Sequence, residues 1–123
     1  MKTEINKTVN ELKKFKKVVA IILFGSHAKK KAKPLSDVDI AIVAKNPDKK
    51  IEAEVASFSS NILDVVNFHK LPLYIQFEVL KHGKTLFVRD KRYFSTIQRK
   101  VLREYLEMSD FYERMSRRIL KWG

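Results

Sequence analysis

At 123 residues the chain has room for one domain with a core of modest size. Its 45% hydrophobic and 33% charged residues exclude an intrinsically disordered chain, and the lack of any cysteine excludes disulfides and thiolate metal sites. No apolar run reaches membrane-spanning length, and the polar, acid-containing start MKTEINK does not read as an export signal, so no membrane association and a cytoplasmic location are expected.

In chain order, residues 2–16 place Ile5, Val9, Leu12 and Phe15 at helical spacing among lysines, which predicts an amphipathic helix. Residues 18–24 (VVAIILF) contain no polar side chain, as befits a central strand covered on both faces. Residues 26–33 are expected to form a short helix stopped by Pro34, and residues 37–44 a second strand. Asn46, Pro47 and Asp48 make a turn, with Asp48 placed to cap a helix over 49–58. Residues 61–67 (NILDVVN) predict a third strand, Pro72 opens a helix that Gly83 stops, and residues 84–88 predict a fourth strand. Asp90 is a candidate N-cap for the remainder.

From 91 to 121, Phe94, Ile97, Val101, Tyr105, Met108, Tyr112, Met115 and Ile119 recur at steps of three and four. This is one long helix, or two that break at Ser109 and Asp110, residues that favour caps over helix interiors. Thirty helical residues reach about 45 Å, longer than the rest of the chain can cover. Either the segment folds back as a hairpin, or part of its apolar stripe is a protein-binding face. The expected division is a single domain over 1–123, with a body at 1–90 and a helical segment at 91–123.

Chemistry concentrates in one stretch. Gly25 and Ser26 end the first strand, and Asp37 and Asp39 open the second after ten intervening residues. Side chains alternate along a strand, so Asp37 and Asp39 share a face while Val38, Ile40 and Ile42 take the other. Two like charges so placed repel unless a cation lies between them, and Mg²⁺ bridging substrate phosphates meets that need. The Gly-Ser turn would offer backbone N–H groups and a hydroxyl to the same phosphates at a helix start. Asp64, inside the apolar third strand, is costly to bury without a partner or metal. It reads either as an exposed strand-edge acid or as a third carboxylate on the same site. The net charge of +12 invites nucleic acid, but fits equally a lysine-covered soluble surface, or service to a nucleotide by Lys29, Lys30, Lys31 and Lys33. His27, His69 and His82 lack ligand-like spacing and are assigned to no metal, since the chemistry asks for hard oxygen donors.

Gly-Ser, ten residues, then Asp-x-Asp, with Ser36 before the first acid and Ala28 and Ala32 between, resembles the signature of the minimal nucleotidyltransferases (MNT) of the DNA polymerase beta-like superfamily. The resemblance is densest over 18–67. It departs at Lys30, where many members carry a second glycine. It implies a small α/β (α+β) polymerase beta-like nucleotidyltransferase fold, with a mixed four-stranded sheet, flanking helices and a long C-terminal helical segment. It also implies Mg²⁺ held by Asp37, Asp39 and Asp64, ATP bound by Gly25, Ser26, Lys29 and Ser36, and Asp64 as general base. The activity implied is transfer of AMP from ATP to a protein hydroxyl, a tyrosine of a HEPN ribonuclease toxin that the protein would neutralise. Two other readings stand beside it: a catalytically silent antitoxin that only binds, and a basic nucleic-acid-binding module.

Overall fold

The computed structural model describes residues 2–25, 38–60 and 63–122. They form α1 (Lys2–Leu12), β1 (Val18–Phe24), β2 (Val38–Ala44), α2 (Lys49–Ala56), β3 (Leu63–Asn67), a 3₁₀ turn (Phe68–Lys70), α3 (Leu73–His82), β4 (Lys84–Val88) and α4 (Lys91–Trp122). The sheet order is β3-β2-β1-β4. β1 runs antiparallel to both β2 and β4, whereas β2 and β3 are parallel and joined through α2. The expected mixed four-stranded sheet is therefore present.

Alternation along the strands builds two cores. On one face Val18, Ile21, Val38, Ile40, Ile42, Leu63 and Val65 pack with Val9 and Leu12 of α1 and Val55 of α2. On the other, Val19, Ala20, Ile22, Ala41 and Val43 pack with Phe68, Val79 of α3, and Phe94 and Val101 of α4. β1 and β2 are buried on both sides, which is why their sequences read as unbroken apolar runs.

Four boundaries differ from the expectation, among them α2, which ends at Ala56 rather than 58. α1 ends at Leu12 rather than 16, because the next amides bond three residues back, Lys14 N to Glu11 O (3.1 Å) and Phe15 N to Leu12 O (3.2 Å). The Arg89 guanidinium donates to the carbonyls of Lys13 and Phe15 and, through Nε, to Val18 O at 2.9 Å, tying this turn to β1. Pro72 sits just outside α3 as its cap. α4 runs unbroken through Ser109 and Asp110, so the segment does not fold back as a hairpin. There the side chains are exposed, and Asp110 pairs with Arg114 at 3.3 Å along the helix, which offsets the weak intrinsic propensity.

Gly83 ends α3 as expected, but for another reason than backbone handedness. Its φ is −71°, open to any residue. A Cβ there would lie 2.3 Å from Val79 O and 2.7 Å from Ile22 Cγ2, so glycine is required by the close approach of α3 to β1. The caps of α2 and α4 are as expected: Asp48 accepts from Ile51 N at 2.8 Å, and Asp90 from Tyr93 N at 3.0 Å.

Candidate active site at the end of the sheet

Gly25, Asp39 and Asp64, drawn from three separate strand ends, meet at one end of the sheet. Asp39 pairs in register with Asp64 on the parallel neighbour β3, and with Phe24 on the antiparallel neighbour β1. Adjacent strands lie about 4.8 Å apart, so the two acids are close neighbours. Val38, Ile40, Leu63 and Val65 all enter the α1/α2 core, which turns Asp39 and Asp64 to the α3/α4 face. The alternation expected along the second strand is thus observed at Asp39. Asp64 is exposed and Asp39 half-buried, so an acid in an apolar strand costs little here because its carboxylate reaches water.

Gly25 follows Phe24 with φ +84°, a conformation that favours glycine. A Cβ at this position would sit 2.3 Å from Asp39 Oδ2. The glycine therefore serves two ends: it turns the chain out of β1, and it leaves space into which the Asp39 carboxylate reaches. Ser26, Lys29, Ser36 and Asp37 lie outside the described residues.

Could these residues hold Mg²⁺? The donors are carboxylate oxygens, the hard ligands this ion prefers. Among the described residues no group of three candidate ligands converges, and Asp39 and Asp64 are the acids paired across the strands at this end. Gly25 lets the Asp39 carboxylate take a place that any larger residue would deny it. The set fits the ion.

A cavity of about 180 Å³ adjoins Gly25, lined by Phe24, Ile75, Val79 and Gly83 and by the Glu78–His82 pair, whose Oε2 and Nε2 atoms are 3.6 Å apart. Sequence reasoning missed this pair; only its i, i+4 spacing on α3 could have raised it. A larger cavity, about 350 Å³, lies under α2 at the opposite ends of β2 and β3. Its polar groups satisfy one another, Glu52 with Lys70 at 3.0 Å and with Asn67 at 3.2 Å, and it contains neither acid of the pair. His69, assigned no role from sequence, donates from Nε2 to Ala44 O at 3.0 Å. Desolvation of the ring lowers its pKa, with Lys100 adding to the shift and the Ala44 bond opposing it.

The family model described as "Polymerase beta, Nucleotidyltransferase" matches residues 6–92. A curated relative from Methanocaldococcus jannaschii, named as a protein adenylyltransferase (MJ1547), is 38% identical over 71 residues, covering 58% of this chain and 57% of the relative. The match thus spans little more than half of that protein's length. Among solved structures, one chain of the toxin–antitoxin complex MntA-HepT superposes with a TM-score of 0.68 at 21% identity, covering 98% of this chain and 99% of the other. A chain of a toxin–antitoxin structure with AMP-PNP gives 0.68 at 20% identity, covering 96% and 97%. A chain from the complex of a tri-AMPylated Shewanella oneidensis HEPN toxin with MNT antitoxin gives 0.65 at 20%, covering 96% and 94%. At such identities the likeness is one of fold, and it extends over nearly the whole chain.

Proposed function

The chain belongs to the polymerase beta nucleotidyltransferase family, and we propose that it transfers AMP from ATP to a hydroxyl, a tyrosine of a HEPN ribonuclease toxin, which it thereby silences. The observation that carries this reading is the in-register pairing of Asp39 with Asp64 beside a glycine whose side-chain space is taken by the Asp39 carboxylate. A purely structural strand end has no use for two adjacent acids on one face. The AMP-PNP and tri-AMPylated-toxin structures among the fold relatives support the choice of nucleotide and acceptor.

Asp39 and Asp64, with Asp37 two residues upstream in sequence, would hold Mg²⁺. The bound ion supplies neutralisation of the charge that builds on the phosphates. Gly25 and Ser26 would bind the β- and γ-phosphates, assisted by Lys29 and Ser36. Asp64, exposed at the sheet edge, accepts the proton of the tyrosine hydroxyl. The phenolic oxygen forms its bond to the α-phosphorus, the bond between that phosphorus and the α,β-bridging oxygen breaks, and pyrophosphate leaves. The domain division into a catalytic body over 1–90 and a helical segment over 91–123 belongs to the same proposal.

Partner capture has its own observation. α4 spans 32 residues, about 48 Å. Beyond Met108 its stripe leaves the body, and Phe111 (52%), Tyr112 (60%) and Met115 (41%) are exposed. Exposed apolar area of this kind marks an interaction surface. The test is to incubate the purified chain with Mg²⁺, ATP labelled at the α-phosphate and a candidate HEPN toxin. Label on a toxin tyrosine, with loss of its ribonuclease activity, is the expected result. Silencing without any label would leave an antitoxin that acts by binding alone.

A further inference from the structure

β3 is an edge strand of five residues, and nothing in a short edge strand by itself holds a side chain to catalytic tolerance. Its inner side is fixed by the parallel ladder to β2. Its outer side is fixed by two serines from the segment after α2. Ser59 Oγ accepts from Val65 N at 2.9 Å, and the same hydroxyl reaches Val65 O at 3.4 Å. Ser60 Oγ accepts from Leu63 N at 3.2 Å, while Ser60 N donates to Leu63 O at 2.7 Å. The edge-facing N–H and C=O groups of both residues flanking Asp64 are thus all engaged. Leu63 and Val65 are themselves buried in the α1/α2 core, so the backbone on either side of the acid is held by side-chain packing and by hydroxyls. A slip of one residue would turn Asp64 to the opposite face and away from Asp39.

We propose that Ser59 and Ser60 are positioning residues for the transfer reaction, clamping β3 so that Asp64 stays in register with Asp39. The inference rests on the proposed role of Asp64. The clamp also occupies the edge groups that another strand would otherwise pair with.

The test uses the full chain with Ser59→Ala, Ser59→Thr, Ser60→Ala and Asp64→Asn. Because an ångström of misplacement can lower a rate by up to about a hundredfold, Ser59→Ala is expected to reduce kcat about tenfold or more. The KM for Mg-ATP should change less than kcat, since the phosphates also rest on Gly25 and Ser26, which the clamp does not touch. Amide exchange at Val65 should accelerate in the same variant, a readout independent of activity. Ser59→Thr, which keeps the hydroxyl, should restore both. Wild-type kcat in Ser59→Ala with unchanged Val65 exchange overturns the proposal, as does a loss that Thr does not rescue. If Ser59→Ala does not fold, Ser60→Ala provides the same comparison at the Leu63 amide, with the Ser60 N–Leu63 O bond kept. An active Asp64→Asn enzyme would overturn the role of Asp64 itself and the clamp with it, whereas an inactive one beside a fully active Ser59→Ala overturns the clamp alone.

Discussion

Gly25→Ala should damage the protein in two separable ways, and the structure indicates how large each is. At φ +84° an L-residue is strained by about 1–2 kcal/mol, partly offset by about 0.4–1 kcal/mol because alanine restricts the unfolded chain. The added Cβ would also lie 2.3 Å from Asp39 Oδ2, so the carboxylate must leave its place, at about 0.5–1.5 kcal/mol for an off-rotamer side chain. The sum is a destabilisation of about 1–2 kcal/mol, a fall in Tm of roughly 3–10 °C for a domain of this size. The activity should fall much further, by about a hundredfold, since the displaced group is one of the paired acids. A double-mutant cycle with Asp39→Ala separates the terms. Removing the carboxylate relieves the clash and leaves the φ strain, so the two substitutions should be less than additive by about 1 kcal/mol. Calorimetric or denaturant melts of the four proteins measure this directly. Strict additivity would mean that Gly25 and Asp39 do not meet as described, and the site would lose its central contact.

Asp39→Asn and Asp64→Asn, and Asp37→Asn with them, should abolish AMP transfer and leave the melting temperature unchanged or slightly raised, because like charges are removed from one face; a collapse of the melts would make the acids structural. Truncation after Ser109 should keep the body folded and able to bind Mg-ATP, since α4 packs on it through Phe94, Ile97 and Val101, yet lose the toxin; full-affinity capture by the truncated chain would move recognition to the active-site face. Binding through the apolar stripe should weaken only mildly between 50 and 200 mM salt, where contacts to six or more phosphates would lose about a thousandfold, so a steep salt slope would favour nucleic acid instead. For His69 the folded-state pKa lies below its ordinary 6.5, so the folded chain binds fewer protons than the unfolded one. Its contribution is complete above that value and is lost as pH falls below it; His69→Gln should flatten that part of the stability–pH curve, and an unchanged curve would refute the assignment.

The sheet was legible because its strands differ sharply from their surroundings. Residues 18–24 and 84–88 are bounded as the apolar runs suggest, and the second strand is present over Val38–Ala44, its expected first residue lying outside the described residues. Gly25 and Asp39 could be selected from residue type and spacing, and Asp64 from its place inside an apolar strand together with the family resemblance. What escaped depends on tertiary context. Whether Ser109 and Asp110 break α4 is decided by exposure and by the Arg114 pair, neither of which propensity encodes. The end of α1 is set partly by Arg89, 76 residues from Lys13. The serine clamp on β3 could not be read either, since two serines before a strand look like any turn until the edge they face is known.

Topology is what turns these separate signals into one site. An antiparallel β1–β2 pair necessarily brings the end of one strand beside the start of the next, so Gly25 and Asp39 meet at short range in the sheet although thirteen residues separate them in sequence. The parallel β2–β3 pair requires a crossover, supplied by α2, and that crossover returns the chain to the same end of the sheet. Asp64, second in its strand, is thereby delivered beside Asp39 rather than at the far end, where a simple hairpin would have put the start of a returning strand. The arrangement has a cost: β3 becomes an edge with only one neighbour, and the acid it carries is the exposed member of the pair. Packing of Leu63 and Val65 beneath it, and the hydroxyls of Ser59 and Ser60 along its rim, supply the second boundary that a fifth strand would otherwise give. An acid can then remain open to substrate on one face while its backbone is held on every other side.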